Sequence, residues 1–179
     1  MNNVMLELDI MGNSSNAAIV AIGALFFEPM TSEIGAQFYA KIDPVDAAKY
    51  GEFEPDAVIR WMKKSDKERL EIINTYDSYS LVDALVEFSN WICQIEDYET
   101  RVVWNNRASF DNAFNAVGMT KPWAFWNERD VSTANDLVKM IKHIDLNYRV
   151  SYKCLHHNAL DRALYHAKYV SAACNALKK

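Results

Sequence analysis

The chain opens on an alternation of apolar and acidic residues. Val4 to Ile10 (VMLELDI) alternates apolar and acidic residues from Leu6 onward, which predicts a strand. Met11 to Asn16 (MGNSSN) is polar and glycine-bearing, the composition of a turn. Ala18 to Phe27 (AIVAIGALFF) is a continuous apolar run rich in β-formers, so it predicts a strand covered on both faces. Glu28-Pro29 ends that run, and Ala36 to Ile42 predicts a third strand. Short connections between the three predict an antiparallel meander.

Beyond Ile42 the period changes from two to that of a helix. Pro55 suits a first helical turn leading into Asp56 to Lys64. Ser65 with Glu68 forms a capping box for a short helix. Ser80 to Ile95 places Leu81, Ala84, Leu85, Phe88, Trp91 and Ile92 on one helical stripe. Arg101 to Trp104 is a short strand, and Ser109 caps a helix running to about Val117. A Pro122 loop carries Trp123, Phe125 and Trp126, with one more strand before the next helix. Ser132 to His143 and Asn158 to Leu177 are helical, the last with Ala159, Ala163, Ala167, Val170, Cys174 and Leu177 on one side. Strands first, then helices around them, predict an α/β sandwich.

Composition narrows the class. The chain has 179 residues, 50% hydrophobic and 24% charged, so a single globular domain over residues 1–179 is expected. It contains no apolar run long enough to span a membrane, and its start lacks the basic-then-apolar pattern of an export signal. Three widely spaced cysteines, Cys93, Cys154 and Cys174, form no zinc-type pair and are expected to be reduced packing residues in a cytoplasmic protein. The net charge of −5 gives no overall attraction for nucleic acid, yet metal-dependent nucleases tolerate acidity because their carboxylates hold cations.

Three places could carry chemistry. Glu7 and Asp9 are two apart on the first strand and share a face. Neighbouring carboxylates repel unless a cation lies between them, and Mg²⁺ prefers such oxygen ligands; the plainer reading is a solvated strand face. Asp111 stands at the start of a helix, where an acid is also a simple dipole partner. His156, His157 and Asp161 sit together in LHHNALDRA, where a histidine beside carboxylates could take a proton from water. His143 and His166 are read as surface or packing residues. The aromatics Trp123, Phe125 and Trp126 could stack on bases, but core or subunit-contact roles suit them better.

These stretches in order resemble one family. LELDIMGNSSNAAIVAIGALFF, IRWMKKS, VVWNNRASFDN, PWAFWNERDVST and HHNALDRALYHAKYV together are similar to the RNase T-like, DEDDh 3′→5′ exonucleases, on the bacterial and phage exoribonuclease-like branch. The resemblance spans Val4 to about Leu177. It implies a ribonuclease H-like fold, a mixed five-stranded sheet flanked by helices. It also implies hydrolysis of a terminal phosphodiester through two Mg²⁺ or Mn²⁺ ions.

Carried over residue by residue, the resemblance puts Glu7, Asp9 and Asp111 at metal-ligand positions and His157 at the general-base position. Several of these residues depart from the family pattern. Asp-x-Glu is expected where Glu7 and Asp9 stand exchanged, moving each carboxylate by about 1.5 Å. Arg162 stands at the fourth acid position; counting from His156 instead would put Asp161 there. Arg162 is expected to lie among Glu7, Asp9 and Asp111, substituting for a metal. Met11, Gly12, Asn13, Asn106 and Arg107 match the stretches that border the substrate, and Asn105 and Arg107 replace glycines usual in the branch.

The expectation is therefore a degenerate member that binds single-stranded nucleic-acid 3′ ends or a protein partner. The alternatives are an active Mg²⁺- or Mn²⁺-dependent exonuclease on single-stranded DNA or RNA, and a regulatory dimer without nucleic-acid contact. Relatives are commonly homodimers, so a homodimer is expected, with no membrane association.

Overall fold

The computed structural model describes residues 1–106, 110–146 and 158–178. Expectations for Arg107, Ser109, Cys154, His156 and His157 lie outside the described residues.

The meander forms as the apolar pattern requires. β1 (Asn3–Ile10) pairs antiparallel with β2 (Ile19–Glu28), and β2 with β3 (Glu33–Ile42). β5 (Val102–Asn105) lies parallel to β1, and β6 (Glu128–Asp130) parallel to β5. β4 (Ser78–Tyr79) adds to the outer edge of β3. The sheet has six strands in the order β4-β3-β2-β1-β5-β6, one more than expected. The unforeseen strand is β4, whose two residues are too few to display a period.

The helices are α1 (Pro44–Ala47), α2 (Pro55–Met62), α3 (Asp66–Ile73), α4 (Leu81–Ile92), α5 (Phe110–Ala116), α6 (Val131–Lys142) and α7 (Ala159–Lys178). Ser65 and Glu68 make the reciprocal capping box at α3, and Ser80 caps α4. α1 was not foreseen; its single turn is set by Pro44 and by Asp43, whose carboxylate accepts from Val45 N.

Alternation along the strands divides the core into two layers. Val4, Leu6, Ile22, Ala24 and Phe26 face α4, where Phe26 stacks on Trp91 with ring centroids 4.2 Å apart. Met5, Leu25 and Phe27 face α6 and α7. Glu7 and Asp9 continue the face of Met5, so the first strand aims both carboxylates at α7.

Gly23 makes that approach possible. It pairs with Glu7 on one side and Tyr39 on the other. A Cβ on Gly23 would stand 2.2 Å from the backbone nitrogen of Leu160, so the first turn of α7 rests directly on the sheet.

Two burial expectations are corrected. Cys93 is exposed, because it follows the last turn of α4 on the solvent side, while Cys174 is half-buried in α7. Trp123 is core, but Phe125 and Trp126 are exposed, so of the core and subunit-contact roles expected for these two the core role does not hold: the short 3₁₀ turn Phe125–Asn127 buries Asn127 and turns the two rings outward. His143 ends α6 in a left-handed conformation on the surface, as expected. Among the described residues no helix is long and apolar enough to cross a membrane.

Candidate functional site

The site forms where the carboxyl ends of β1 and β5 meet the first turns of α7. Arg162 reaches back from α7 to the sheet. Its Nη1 stands 2.9 Å from Asp9 Oδ1, its Nε 3.7 Å from Glu7 Oε2, and its Nη2 donates to the Leu8 carbonyl at 2.9 Å. Asp9 Oδ2 accepts the backbone N–H of Ala159 at 3.0 Å, so this carboxylate also caps the start of α7. The second oxygen of Glu7 is held by His166 Nδ1, one turn beyond Arg162. Burial opposes the guanidinium charge, but Asp9 and Glu7 outweigh it and raise the Arg162 pKa above its ordinary value.

Tyr39 borders this cluster from β3. Its hydroxyl donates to Glu71 Oε1 at 3.2 Å, tying α3 to the sheet. Burial first, then the negative charges of Asp9 and Glu71, push its phenol pKa far up, with Arg162 opposing.

Asp111 is placed elsewhere, correcting the expectation that it joins Glu7, Asp9 and Arg162. Its Oδ1 pairs with Lys121 Nζ at 2.6 Å, and Lys121 also bonds Glu128. Lys121 is partly desolvated, but its two carboxylates prevail and raise its pKa. The reason is local geometry. Half of the Asp111 side chain is exposed on the outer side of α5, and the nearest partner for its charge comes from the loop before Trp123.

His166 corrects a second expectation, that it is a surface or packing residue. It lies four residues after Arg162 and shares its helix face, so both reach Glu7. Spacing to Arg162 was the available signal. Nothing in the sequence links Lys121 to Asp111. Asp161, the alternative fourth acid, precedes Arg162 by about 100° around the helix, and its backbone N–H donates to Asn158 Oδ1 at 2.9 Å.

Of the positions expected to border substrate, Asn13 is held by Glu54. Its carboxylate accepts the amides of Asn13 and Ser14, each at 2.9 Å, and a Cβ on Gly12 would stand 2.6 Å from Glu54 Oε1. These bonds, Asn13 first, lower the Glu54 pKa. Met11 is buried and lines an apolar cavity of about 300 Å³ with Phe53, Val58 and Trp61. Asn106 accepts from Ser132 Oγ at 2.8 Å and borders a cavity of about 320 Å³ that also reaches His166.

These residues do not fit a divalent ion as they stand. Octahedral magnesium requires carboxylate oxygens that are free to coordinate. Asp9 is bonded to a guanidinium and an amide, Glu7 is bonded to a histidine and faces the same guanidinium at 3.7 Å, and Asp111 is paired with an ammonium. Among the described residues, no three histidine, cysteine or acidic side chains converge as metal ligands.

The sheet and the helices packed on it form an architecture found in known exonuclease domains. Solved structures share it: the nuclease domain of 3′hExo bound to rAMP superposes with TM-score 0.65 at 10% identity, over 95% of this chain and 90% of that one. The E. coli exonuclease I–single-stranded DNA complex gives TM-score 0.61 at 10% identity, over 98% of this chain and 40% of that one. A 3′-exonuclease in 3′-end-specific recognition of a histone mRNA stem-loop gives 0.58 at 7% identity, over 98% and 80%. The chain belongs to the Rv2179c-like 3′-5′ exoribonuclease domain family, which it matches over residues 2–174. It matches no curated protein sequence.

Proposed function

We propose that this chain has given up metal-dependent hydrolysis and keeps its groove for binding single-stranded nucleic-acid 3′ ends. The observation that carries the proposal is Arg162 seated on Asp9 and Glu7. Two-metal hydrolysis uses carboxylate oxygens to hold one ion that activates water and another that stabilises the leaving oxygen. A guanidinium at the fourth acid position repels such ions and bonds the carboxylates that would hold them. Mg²⁺ and Mn²⁺ are therefore not assigned to the native site.

Retention of end binding rests on two supports. Glu54 accepts the amides of Asn13 and Ser14 and so pins the end of the Met11–Asn13 stretch. Two structures of the same fold hold or recognise single-stranded DNA and a histone mRNA 3′ end. Arg162 also offsets charge on the acid pair, which lowers the repulsion a phosphate would meet there without a metal.

The test uses a labelled single-stranded oligonucleotide with Mg²⁺ or Mn²⁺. The expected result is no shortening of the strand, together with binding that weakens as salt rises. A ladder growing from the 3′ end and abolished by Asp9→Asn would refute the loss of hydrolysis. Absence of any binding would refute the retained function.

A further inference from the structure

At the end of the sheet away from the acid pair, three aromatic rings are exposed together. Tyr98 precedes β5, and Phe125 and Trp126 precede β6, so all three lie by the amino ends of strands whose carboxyl ends approach Glu7 and Asp9. Phe125 is 72% exposed, Trp126 54% and Tyr98 40%. Phe125 and Trp126 pack edge to face with centroids 5.0 Å apart, and Tyr98 and Phe125 line one cavity of about 260 Å³.

The rings are held in place rather than left on a loose loop. Asn127 Nδ2 donates to the Glu99 carbonyl at 2.7 Å, joining the two 3₁₀ turns that carry them. Buried Arg101 bonds the carbonyls of Ile95 at 2.8 Å, Pro122 at 2.6 Å and Glu96 at 3.2 Å. Displaying rigid aromatic surface to water has a hydrophobic cost, and such surfaces commonly mark interfaces.

Charge decides what can cover it. Glu96, Asp97 and Glu99 are exposed around Tyr98, and Asp111 lines the same cavity. The nearby cations are already engaged. Lys121 is bonded to Asp111 and Glu128, Arg101 to three carbonyls, and Arg129 Nη1 to the carbonyls of Trp126 and Glu128. Bonding to carbonyls leaves the charges of Arg101 and Arg129 in place, but the carboxylates of Glu96, Asp97, Glu99, Asp111 and Glu128 outnumber these two cations and Lys121. A phosphate backbone would therefore meet net negative charge, and a positively charged side chain would be attracted. Cations already sit over rings in this region: Lys121 Nζ lies 5.5 Å from the Trp123 ring centroid, and Arg101 5.8 Å from that of Tyr98.

We propose that the Tyr98–Phe125–Trp126 surface docks an arginine- or lysine-bearing segment of another protein, its aliphatic and cationic parts lying across the rings and its charge answered by Glu96 and Glu99. This does not depend on what the acid pair does.

The probe is a short labelled peptide of alternating glycine and arginine, compared with its glutamate counterpart and with a single-stranded oligonucleotide. The arginine peptide binds and the glutamate peptide does not. Trp126→Ser weakens binding by about tenfold or more, as expected for an aromatic anchor. The charge swap Glu96→Lys with Glu99→Lys also weakens it, while circular dichroism shows both variants folded. No binding of the arginine peptide, or binding unchanged in both variants, overturns the proposal. So does loss of oligonucleotide binding in Trp126→Ser with peptide binding intact. A dimer in sedimentation velocity that dissociates in Trp126→Ser would assign the surface to a second copy instead.

Discussion

Arg162 Nη1 stands 2.9 Å from Asp9 Oδ1, so a guanidinium from α7 lies on the acid pair of β1. The arrangement is internally satisfied. Asp9 also caps α7, Glu7 also meets His166, and the remaining Arg162 donor reaches a strand carbonyl. Arg162→Ala would leave two neighbouring carboxylates with their main countercharge removed. Breaking a buried ion pair costs about 3–5 kcal/mol, and partial exposure reduces this to an expected loss of about 2 kcal/mol. Urea unfolding measures it, and a loss of only a few tenths would mean that the pair is structurally idle.

Arg162→Asp should exchange an internal cation for a requirement for an external one. Without divalent ions the variant is expected to melt below the native protein, because another carboxylate joins Glu7 and Asp9. Added Mn²⁺ should then raise its melting temperature, since an ion that binds only the folded state stabilises it. The native protein should show no such shift. Combining Arg162→Asp with Glu7→Asp and Asp9→Glu is expected to leave hydrolysis absent in an oligonucleotide assay, because Asp111 stays paired with Lys121.

Features written in short-range pattern were legible in the sequence. The meander, the capping box at Ser65 and the stripe of α4 follow from spacing alone. Glu7 and Asp9 were legible as a pair because a strand repeats every two residues. Their meeting with Arg162 could be expected only through family resemblance, since residues so far apart in sequence leave no periodic trace. The pairing of Asp111 with Lys121 was not legible at all, because it depends on how the Pro122 loop folds across α5. β4 and the outward turn of Phe125 and Trp126 escaped for a related reason: elements of two or three residues display no period.

Gly23 carries the placement of α7. Gly23→Ala puts a methyl group 2.2 Å from the backbone of Leu160, and backbone cannot rotate away as a flexible side chain can. The helix must shift, moving Ala159 and Arg162 from Asp9. The expected cost is about 1–3 kcal/mol, as for overpacking elsewhere. A crystal structure of the variant should show the Ala159–Asp9 bond lengthened. Native stability with that bond unchanged would count against this role for Gly23.

Tyr169 provides a test at alkaline pH. Burial chiefly, with Tyr165, Asp145 and Asp136 adding, pushes its phenol up to about 12 from an ordinary value of 10. The folded pKa is raised above the unfolded one, so the stability it contributes is present below pH 10 and lost as pH rises toward 12. Unfolding by urea should become easier between those values, and Tyr169→Phe should flatten that dependence. Absorbance near 295 nm should show the phenolate lost in this variant at the high end of the titration. A native titration completed near pH 10 would contradict the buried setting of this ring.

Glu54 works in the opposite direction. Its carboxylate is held below its ordinary pKa by the amides of Asn13 and Ser14, which favour the charged form. The folded pKa is depressed, so the stabilisation of the loop is present above the unfolded value of about 4.3 and lost as pH falls through the folded one. Amide exchange at Asn13 and Ser14, corrected for its intrinsic pH dependence, should show protection falling in that acidic range. Glu54→Gln should lower the protection at neutral pH and remove its dependence on acid, with little change in α4 or α7. If end binding uses the ordered Met11–Asn13 stretch, the same variant should weaken oligonucleotide affinity. Raising the pH should not restore that affinity, because the substituted amide carries no charge to recover. Equal protection in the native protein and the variant would show that the loop is ordered by something other than this carboxylate.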